Sequence, residues 1–245
     1  MKILARSWLL LCIILLFFSG VARSADRDAL WSKVNQQCVP DYINNDTYTP
    51  CALVNVDEKY VIYKVDNDKY QYLLLPTEKI SGIEDEKLLN EKQNYIYRAW
   101  QSRTFLTEKL NKKIKERDIA LTMNAKNARG QDQLHIHISC LSPSARKTID
   151  AIDIKSIGEH WSTKAIEINP YSFYFKKISL GELKKDNIFK LIKSKADQIG
   201  ADMNYSGVAL VNIDINTFMI LLSPGTVDKG VSAELIQDHE CSIAN

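Results

Sequence analysis

The stretch Gln133-Leu134-His135-Ile136-His137-Ile138-Ser139-Cys140 alternates apolar and polar residues with a period of two. This period predicts a half-buried β-strand whose apolar side chains face a core, while His135, His137 and Ser139 share the opposite face. Alternate strand positions lie about 6.6–7 Å apart, so both imidazoles reach one group the size of a phosphate. The chain has 4 histidines, and two fall on this face. The strand is therefore the candidate centre of the chemistry.

Length and composition place the chain among ordinary globular proteins. Its 245 residues suffice for one large domain or two small packed units. Hydrophobic residues make up 45% and charged residues 25%, which is a typical balance. The net charge is +2, and it becomes −1 without residues 1–24, which contain three basic residues and no acidic one. No large positive field exists, so nucleic acid is not an expected partner.

Residues 1–24 have the features of a targeting segment. Lys2 and Arg6 precede an apolar run at residues 8–18, and Ala22-Arg23-Ser24 is an acceptable cleavage site. The run is shorter than the roughly 17–25 residues of a full transmembrane helix. A cleaved signal peptide and an uncleaved N-terminal membrane anchor both remain open. In either case, basic residues before the run place the body of the protein outside the cytoplasm.

Export favours disulfide bonds among the four cysteines that follow the targeting segment. These cysteines are Cys38, Cys51, Cys140 and Cys241, and they allow three pairings. We favour Cys38–Cys51, which closes a short polar loop. The remaining pair, Cys140–Cys241, then joins the histidine strand to the C-terminal tail.

A metal site formed by His135, His137 and Cys140 is the competing interpretation of the histidine strand. It lacks a second group of ligands at a recognisable spacing, so no metal ion is predicted. His160 and His239 have no comparable neighbours in the sequence. We interpret His239 as a solvated or capping residue.

The hydrophobic periodicity of the whole chain predicts an α+β fold. Helix, strand and strand follow one another twice, at residues 84–139 and 182–222. A degenerate internal duplication and a coincidence within a common α+β arrangement both explain this repeat. We expect one half at residues 25–142, with the histidines, and a second α+β half at 143–245 packed on it. Helices are predicted at 26–37, 85–110, 144–155, 182–199 and 231–239, and strands at 52–56, 60–65, 70–75, 119–123, 133–140, 171–178, 207–213 and 217–222.

The loop before the histidine strand contains groups that suit phosphate chemistry. Five residues separate Asn124 from Gly130-Gln131, and the two histidines follow. A glycine-bearing loop can offer backbone N–H groups to phosphate oxygens. Imidazole is a nucleophile that forms covalent intermediates with phosphorus.

This spacing resembles the histidine-triad (HIT) superfamily of nucleotide hydrolases and transferases. Its signature is Asn, then Gly-Gln, then His-φ-His-φ-His-φ-φ, where φ is apolar. The resemblance implies a HIT-like antiparallel sheet with packed helices, a nucleophilic His137 and a supporting His135. It also implies that Asn124 and the Gly130-Gln131 backbone hold the phosphate. Ser139 stands where the signature has a third histidine, which normally helps the leaving group.

A longer set of residues resembles the bacterial CDP-diacylglycerol pyrophosphatase family, which carries a serine at the Ser139 position. This resemblance implies hydrolysis of CDP-diacylglycerol to CMP and phosphatidate through a cytidylyl-histidine, without a cofactor. It makes Ser139 a candidate catalytic residue, and Gln133, Lys64 and Arg103 candidates for substrate binding. For the two cations a surface role or an ion pair explains the residue equally well. The shared stretches include residues 60–61, 71–77, 82–84, 99–100, 133–140 and 236–241.

The resemblance also implies where the protein works. The expected partners are the lipid nucleotide and a membrane surface, and the expected location is the periplasmic side of a bacterial inner membrane. A cleaved, periplasmic form is the alternative. No oligomeric state follows from the sequence. Two other functions remain open, namely an exported HIT-type hydrolase or transferase of soluble nucleotides and a non-enzymatic metal-binding envelope module.

Overall fold

A computed structural model describes residues 26–244, so the predicted targeting segment lies outside the described residues. The described chain forms a 10-stranded sheet in which all paired strands are antiparallel, with helices on both faces. This confirms the predicted α+β class. None of the helices within residues 26–244 combines the length and the apolar character that crossing a bilayer requires.

The strands follow one another across the sheet in the order β1-β2-β3-β5-β4-β8-β9-β7-β6, and β10 pairs with β5 outside this path. Hairpins join β2 to β3, β4 to β5 and β8 to β9. The strands are β1 (Leu53–Asn55), β2 (Tyr60–Lys64), β3 (Tyr72–Pro76), β4 (Ile119–Met123), β5 (Ile136–Leu141), β6 (Ile166–Ile168), β7 (Tyr171–Ser179), β8 (Gly207–Asp214), β9 (Thr217–Ser223) and β10 (Gln237–Asp238).

Helices cover both faces of the sheet. A capping box is present at the start of α7, where Ser179 and Glu182 satisfy each other's backbone N–H groups. A π-helical turn, Val34–Cys38, joins the first two helices. The helices are α1 (Ala29–Lys33), α2 (Val39–Asn45), α3 (Lys87–Asn90), α4 (Tyr95–Gln101), α5 (Arg103–Leu110), α6 (Pro143–Asp150), α7 (Leu180–Lys185) and α8 (Ile188–Gln198).

One face of the sheet carries the largest core. Ile136 and Ile138 of β5 and Leu121 of β4 point to this face and are fully buried. Helices α3, α4, α5, α7 and α8 supply the apolar side chains that cover it. The period-two pattern of β5 thus places its isoleucines in this core and turns its histidines to the other side.

The opposite face is covered in two separate patches. One patch lies under α6 and the turn Ala233–Ile236. The other lies under α1 and α2, where the Cys38–Cys51 disulfide fastens the helical segment to the chain before β1. Leu73 of the second patch is paired with His137, whose other neighbour is Thr122 of β4. The histidines therefore lie between the two patches.

The order of elements repeats within the sheet. The series β2, β3, helices, β4 and β5 recurs as β6, β7, helices, β8 and β9, and the two halves meet at the antiparallel β4–β8 pair. Corresponding strands lie at equal distances from this pair. The predicted boundary near residue 142 stays a prediction, because one sheet runs through both halves and residues 233–241 return to the first half.

The predicted helix at 231–239 is wrong. Only one 3₁₀ turn forms there, Ala233–Ile236, and β10 then pairs with Leu141 and Cys140 of β5. The Cys140–Cys241 disulfide holds the tail along this strand, and pairing with β5 satisfies the backbone groups that a helix would have paired. Both disulfides favoured from the sequence are therefore confirmed.

Candidate active site

Strand β5 brings two imidazoles to one pocket. The ring centroids of His135 and His137 are 4.9 Å apart, and the rings meet edge to face. Both rings line a pocket of about 410 Å³ on the face between the two apolar patches. The groups that share its inner wall are Gln71, Asn124, Gly130, Gln131 and Glu234.

His137 has the environment of a neutral imidazole. Its Nδ1 lies 2.9 Å from the side-chain amide of Gln71. Its Nε2 lies 3.0 Å from Oε2 of Glu234, but the contact lacks hydrogen-bond geometry. Burial, together with the nearby His239, lowers the pKa of His137 to about 3. The ring is therefore uncharged at neutral pH, as a nucleophile must be.

His135 is held by the backbone of the same strand. Its Nδ1 donates a hydrogen bond of 2.6 Å to the carbonyl oxygen of Gln133, which leaves a lone pair on Nε2. Burial and the neighbouring His137 lower the pKa of His135 to about 3. The Gln133 side chain donates to the carbonyl oxygens of Pro76 and Glu78, both at 2.9 Å. Gln133 thus supports His135 through its backbone, and its side chain does not line the pocket, contrary to the predicted role in substrate binding.

The two buried imidazoles should make the fold less stable in acid. Their pKa falls from an ordinary 6.5 to about 3. Between these pH values the unfolded chain binds protons that the folded chain does not, so stability is complete above about pH 6.5 and decreases as the pH falls. The loss is at most about 1.4 kcal/mol per pH unit for each ring. Urea unfolding from about pH 7 to pH 4 measures it, and the His135→Asn/His137→Asn variant should show a weaker dependence. An unchanged dependence in that variant would contradict the assignment.

Glu234 covers the reactive nitrogen of His137. Asn124 Nδ2 donates a 2.6 Å hydrogen bond to Oε2 of Glu234, and the Glu234 backbone N–H donates to Oδ1 of Asn124 at 3.1 Å. The same carboxylate oxygen is the atom 3.0 Å from His137 Nε2, which is buried. The Glu234 carboxylate therefore lies between Asn124, the residue expected to bind phosphate, and His137, the residue expected to attack it.

A buried ion pair fixes the loop that precedes the histidines. Nη1 and Nη2 of Arg129 donate to the two carboxylate oxygens of Glu84 at 2.8 and 2.6 Å, and the side chains are only 2% and 8% exposed. Burial raises the pKa of Glu84, but the hydrogen bonds and charge of Arg129 outweigh it and leave a net lowered pKa. A Cβ on Gly82 would lie 2.3 Å from Arg129 Nη1, so the pair requires glycine there.

Removing the counter-charge of this pair should cost considerable stability. We expect Glu84→Gln to lower the free energy of unfolding by about 3–5 kcal/mol, because the Arg129 charge stays buried without a partner. Urea unfolding provides the measurement. The matched control is Glu78→Gln in the exposed Lys59–Glu78 pair, which should change stability by less than about 1 kcal/mol. Equal effects of the two substitutions would rule out the anchoring role.

Gln131 and Gly130 lie where the sequence placed them, but the side chain of Gln131 has a structural task. Its Oε1 accepts from the backbone N–H of Leu30 at 2.8 Å, and its Nε2 donates to the carbonyl oxygen of Asp26 at 2.9 Å. A Cβ on Gly130 would meet no atom within 4 Å. The loop thus holds the start of α1 through the Gln131 side chain, and both residues line the pocket.

Ser139 does not line the pocket, which corrects its assignment as a catalytic residue. Its hydroxyl is buried and donates a 2.6 Å hydrogen bond to the carbonyl oxygen of Tyr70. The residue after Tyr70 is Gln71, whose amide contacts His137. Ser139 therefore holds in place the segment that brings Gln71 to His137.

Lys64 and Arg103 lie on the other side of the sheet, which corrects their assignment to substrate binding. Lys64 is paired with Tyr72, which is paired with Ile138. Its side chain is therefore on the same face of the sheet as Ile138, opposite to the histidines. Its Nζ donates to the carbonyl oxygen of Val65 at 2.8 Å. Arg103 donates to the carbonyl oxygen of Trp100 at 2.8 Å and forms an ion pair with Glu116. Both cations serve local structure.

The metal-site alternative loses one of its ligands. Cys140 is bonded to Cys241 and points into the helical core, away from His135 and His137. Within the part of the chain that the structure describes, no group of three or more His, Cys, Asp or Glu side chains is placed to hold a metal ion.

Several pocket residues escaped the sequence analysis. Gln71 belongs to a stretch recognised only by resemblance, and Glu234 lies in a segment predicted as helix. At the outer wall, Lys33 Nζ donates to the hydroxyl of Tyr63 at 2.7 Å, and that hydroxyl donates to Asp66 Oδ2 at 2.6 Å. No spacing rule joins these residues, because separate segments of the chain bring them together.

The chain has sequence relatives over most of its length. The family model for CDP-diacylglycerol pyrophosphatase matches residues 25–245. A CDP-diacylglycerol pyrophosphatase of Mycobacterium tuberculosis is 39% identical over 221 residues, covering 89% of this chain and 84% of the relative. One from Yersinia pestis is 34% identical over 244 residues, covering 97% of this chain and 94% of the relative.

Two solved structures resemble the fold more distantly. A DUF4931 family protein from Bacillus cereus has a TM-score of 0.45 at 11% identity, covering 76% of this chain and 88% of its own. A HIT family hydrolase from Clostridium thermocellum has a TM-score of 0.31 at 19% identity, with coverages of 44% and 93%. Both scores are below 0.5, so the assignment rests on the sequence relatives. The chain belongs to the CDP-diacylglycerol pyrophosphatase family.

Proposed function

We propose that this protein hydrolyses the pyrophosphate bond of CDP-diacylglycerol and releases CMP and phosphatidate. The observation that carries the proposal is the neutral His137, whose ring lines the pocket together with Asn124 and the Gly130-Gln131 loop. The family relatives support the substrate, since they bear this enzyme's name over most of the chain.

The reaction proceeds by covalent catalysis at His137. Its Nε2 attacks the phosphorus that bears cytidine, and the bond to the bridging oxygen breaks, so phosphatidate leaves with the electron pair. Water then attacks the cytidylyl-histidine, the N–P bond breaks, and CMP leaves while the water's proton passes to solvent. Asn124 and the backbone of Gly130 and Gln131 hold the non-bridging oxygens. Glu234 moves aside to admit the phosphate.

The lipid part of the substrate favours a location at a membrane. The first described residues contact the pocket loop, since Asp26 accepts from Gln131 and Arg27 pairs with Asp132 at 2.6 Å. An N-terminal anchor would therefore hold the pocket close to the bilayer that contains the lipid. This supports a location on the periplasmic side of the bacterial inner membrane.

The direct test incubates the full-length protein with CDP-diacylglycerol in detergent micelles containing EDTA. We expect CMP release in the chelator, together with an adduct of cytidylate mass when the reaction is quenched in acid-free denaturant. A dinucleoside polyphosphate is the comparison substrate. Faster cleavage of that soluble nucleotide would favour the alternative HIT-type activity, and a strict need for added metal would overturn the proposed mechanism.

The position of Glu234 leads to a prediction about ligand affinity. We expect Glu234→Gln to bind CMP about 10-fold more tightly, which is about 1.4 kcal/mol, because the charge that competes for Asn124 and repels phosphate is gone. Isothermal titration of CMP into both proteins measures the change. Glu240→Gln, which alters an exposed carboxylate of the tail, is the control and should leave CMP affinity unchanged. Weaker CMP binding by Glu234→Gln would show that the carboxylate assists the ligand instead.

A further inference from the structure

A third imidazole, from the far end of the chain, lies behind the candidate nucleophile. His239 Nε2 is 2.8 Å from the side-chain amide of Gln71, and the same end of that amide is 2.9 Å from His137 Nδ1. On its other side, His239 Nδ1 lies 3.2 Å from Oδ1 of Asp68. The assignment of His239 as a solvated residue is therefore wrong, because it ends a polar chain that leads to His137.

The fold holds His239 at this place from both directions. Asp238 pairs with Cys140 in the β10–β5 ladder, and Cys241 is bonded to Cys140. The carbonyl oxygen of His239 accepts from the backbone N–H of Tyr70 at 3.1 Å. Tyr70 is in turn held by the hydroxyl of Ser139. A ring fixed this firmly beside a buried amide can determine how that amide is oriented.

The orientation of the Gln71 amide decides the tautomer of His137. The two ends of a glutamine amide have nearly the same shape, and hydrogen-bond chemistry assigns them. If the NH₂ end lies between the rings, both rings accept and the proton of His137 resides on Nε2, which then has no lone pair for attack. If the oxygen lies there, both rings donate, and the lone pair of His137 is on Nε2.

The second arrangement is the one that leaves the lone pair of His137 Nε2 free for attack. In it the Gln71 oxygen faces His239 Nε2 and His137 Nδ1, while His239 Nδ1 faces the Asp68 carboxylate, which only accepts. The other charged groups near the ring are Lys64, whose Nζ donates to the Asp68 carbonyl, the exposed Lys69–Glu240 pair, and Asp238, whose carboxylate is occupied by Ser242. Asp68 is thus the carboxylate that contacts the His239 ring.

We propose that His239 and Gln71 are positioning residues for His137: His239, held against Asp68, directs the Gln71 oxygen to His137 Nδ1–H. His137 then presents its Nε2 lone pair to phosphorus. This inference rests on the proposed function, because it explains how the nucleophile is prepared. It also gives the disulfide-linked tail a function, because the tail places His239 next to Gln71.

A rescue experiment tests the proposal through the orientation of the amide. We expect His239→Ala to lower kcat on the order of 100-fold while KM changes by less than about 3-fold. Gln71→Glu places an accepting oxygen beside Nδ1 whatever His239 does. The double variant Gln71→Glu/His239→Ala should therefore recover kcat to within about 10-fold of wild type. A double variant no more active than His239→Ala would overturn the proposal.

Two further measurements separate this inference from a purely structural role and from the proposed function. His160→Ala, which removes an exposed histidine far from the pocket, is the matched control and should leave kcat unchanged. Nitrogen-15 shifts of His137 should show the Nδ1–H tautomer in wild type and the Nε2–H tautomer in His239→Ala, and the same tautomer in both would contradict the inference. A fully active His137→Ala variant would disprove the proposed mechanism. An inactive His137→Ala variant together with a fully active His239→Ala variant would disprove only this inference.

Discussion

Replacing His137 with alanine should reduce CMP release from CDP-diacylglycerol by about 10⁴-fold or more. In the proposed mechanism this imidazole supplies the atom that forms the new bond to phosphorus, and its Nε2 is linked to Asn124 through the Glu234 carboxylate. No covalent adduct should be trapped in the variant. Quantifying CMP by chromatography and adduct mass by intact-protein mass spectrometry gives both results from one reaction.

His135→Asn is the companion variant for this experiment. Because His135 supports its neighbour and does not form the bond, we expect a smaller loss, on the order of 100-fold, with the adduct still formed. A His137→Ala protein that retains full activity would disprove the mechanism. An adduct that persists in His137→Ala but vanishes in His135→Asn would assign the nucleophile to the other ring.

Loss of the Cys140–Cys241 disulfide should destabilise the protein more than loss of Cys38–Cys51. The first bond joins residues 101 positions apart and the second joins residues 13 positions apart. In the chain-entropy account these spacings correspond to about 4.7 and about 3 kcal/mol of the free energy of unfolding. The cysteines of both pairs are buried or half-buried, so alanine fits the apolar surroundings in either variant.

Activity should distinguish the two disulfides even more clearly. Cys140→Ala/Cys241→Ala releases the tail that carries Glu234 and His239, so kcat should fall at temperatures where the protein is still folded. Cys38→Ala/Cys51→Ala is the matched control and loosens a helix at the outer wall of the pocket. Urea unfolding and CMP release on both variants provide the test. A Cys140→Ala/Cys241→Ala protein with wild-type kcat would show that the bond is dispensable for the site.

The sequence predicted those parts of the site that lie on one continuous segment. Alternation along residues 133–140 placed His135 and His137 on a common face, since side-chain direction in a strand follows directly from position. The α+β class followed from local patterns, the antiparallel sheet from the family resemblance, and the two disulfides from the expected export. These predictions depend on near neighbours in the chain, and near neighbours determine local periodicity.

Other parts of the site could not be derived from local patterns. Ser139 has the right periodicity, yet its hydroxyl is used by Tyr70, which is distant in sequence. Lys64 lies on a strand close to the histidines, but the register of β2 turns it to the opposite face. Glu234 reaches the pocket, and His239 reaches Gln71 behind it, because β10 pairs with β5. This pairing overrides the helical propensity of residues 231–239.

The pairing of β4 with β8 limits where the chain can be cut into fragments that fold. An antiparallel strand with an uncovered edge exposes a row of N–H and C=O groups and invites pairing with other molecules. Here β8 occupies the edge of β4, the strand next to the one that carries the histidines. The second half therefore shields the first from intermolecular sheet extension, although its own strands contribute no imidazole. A fragment cut near residue 142 would lose that shield together with the tail, and self-association would compete with its folding.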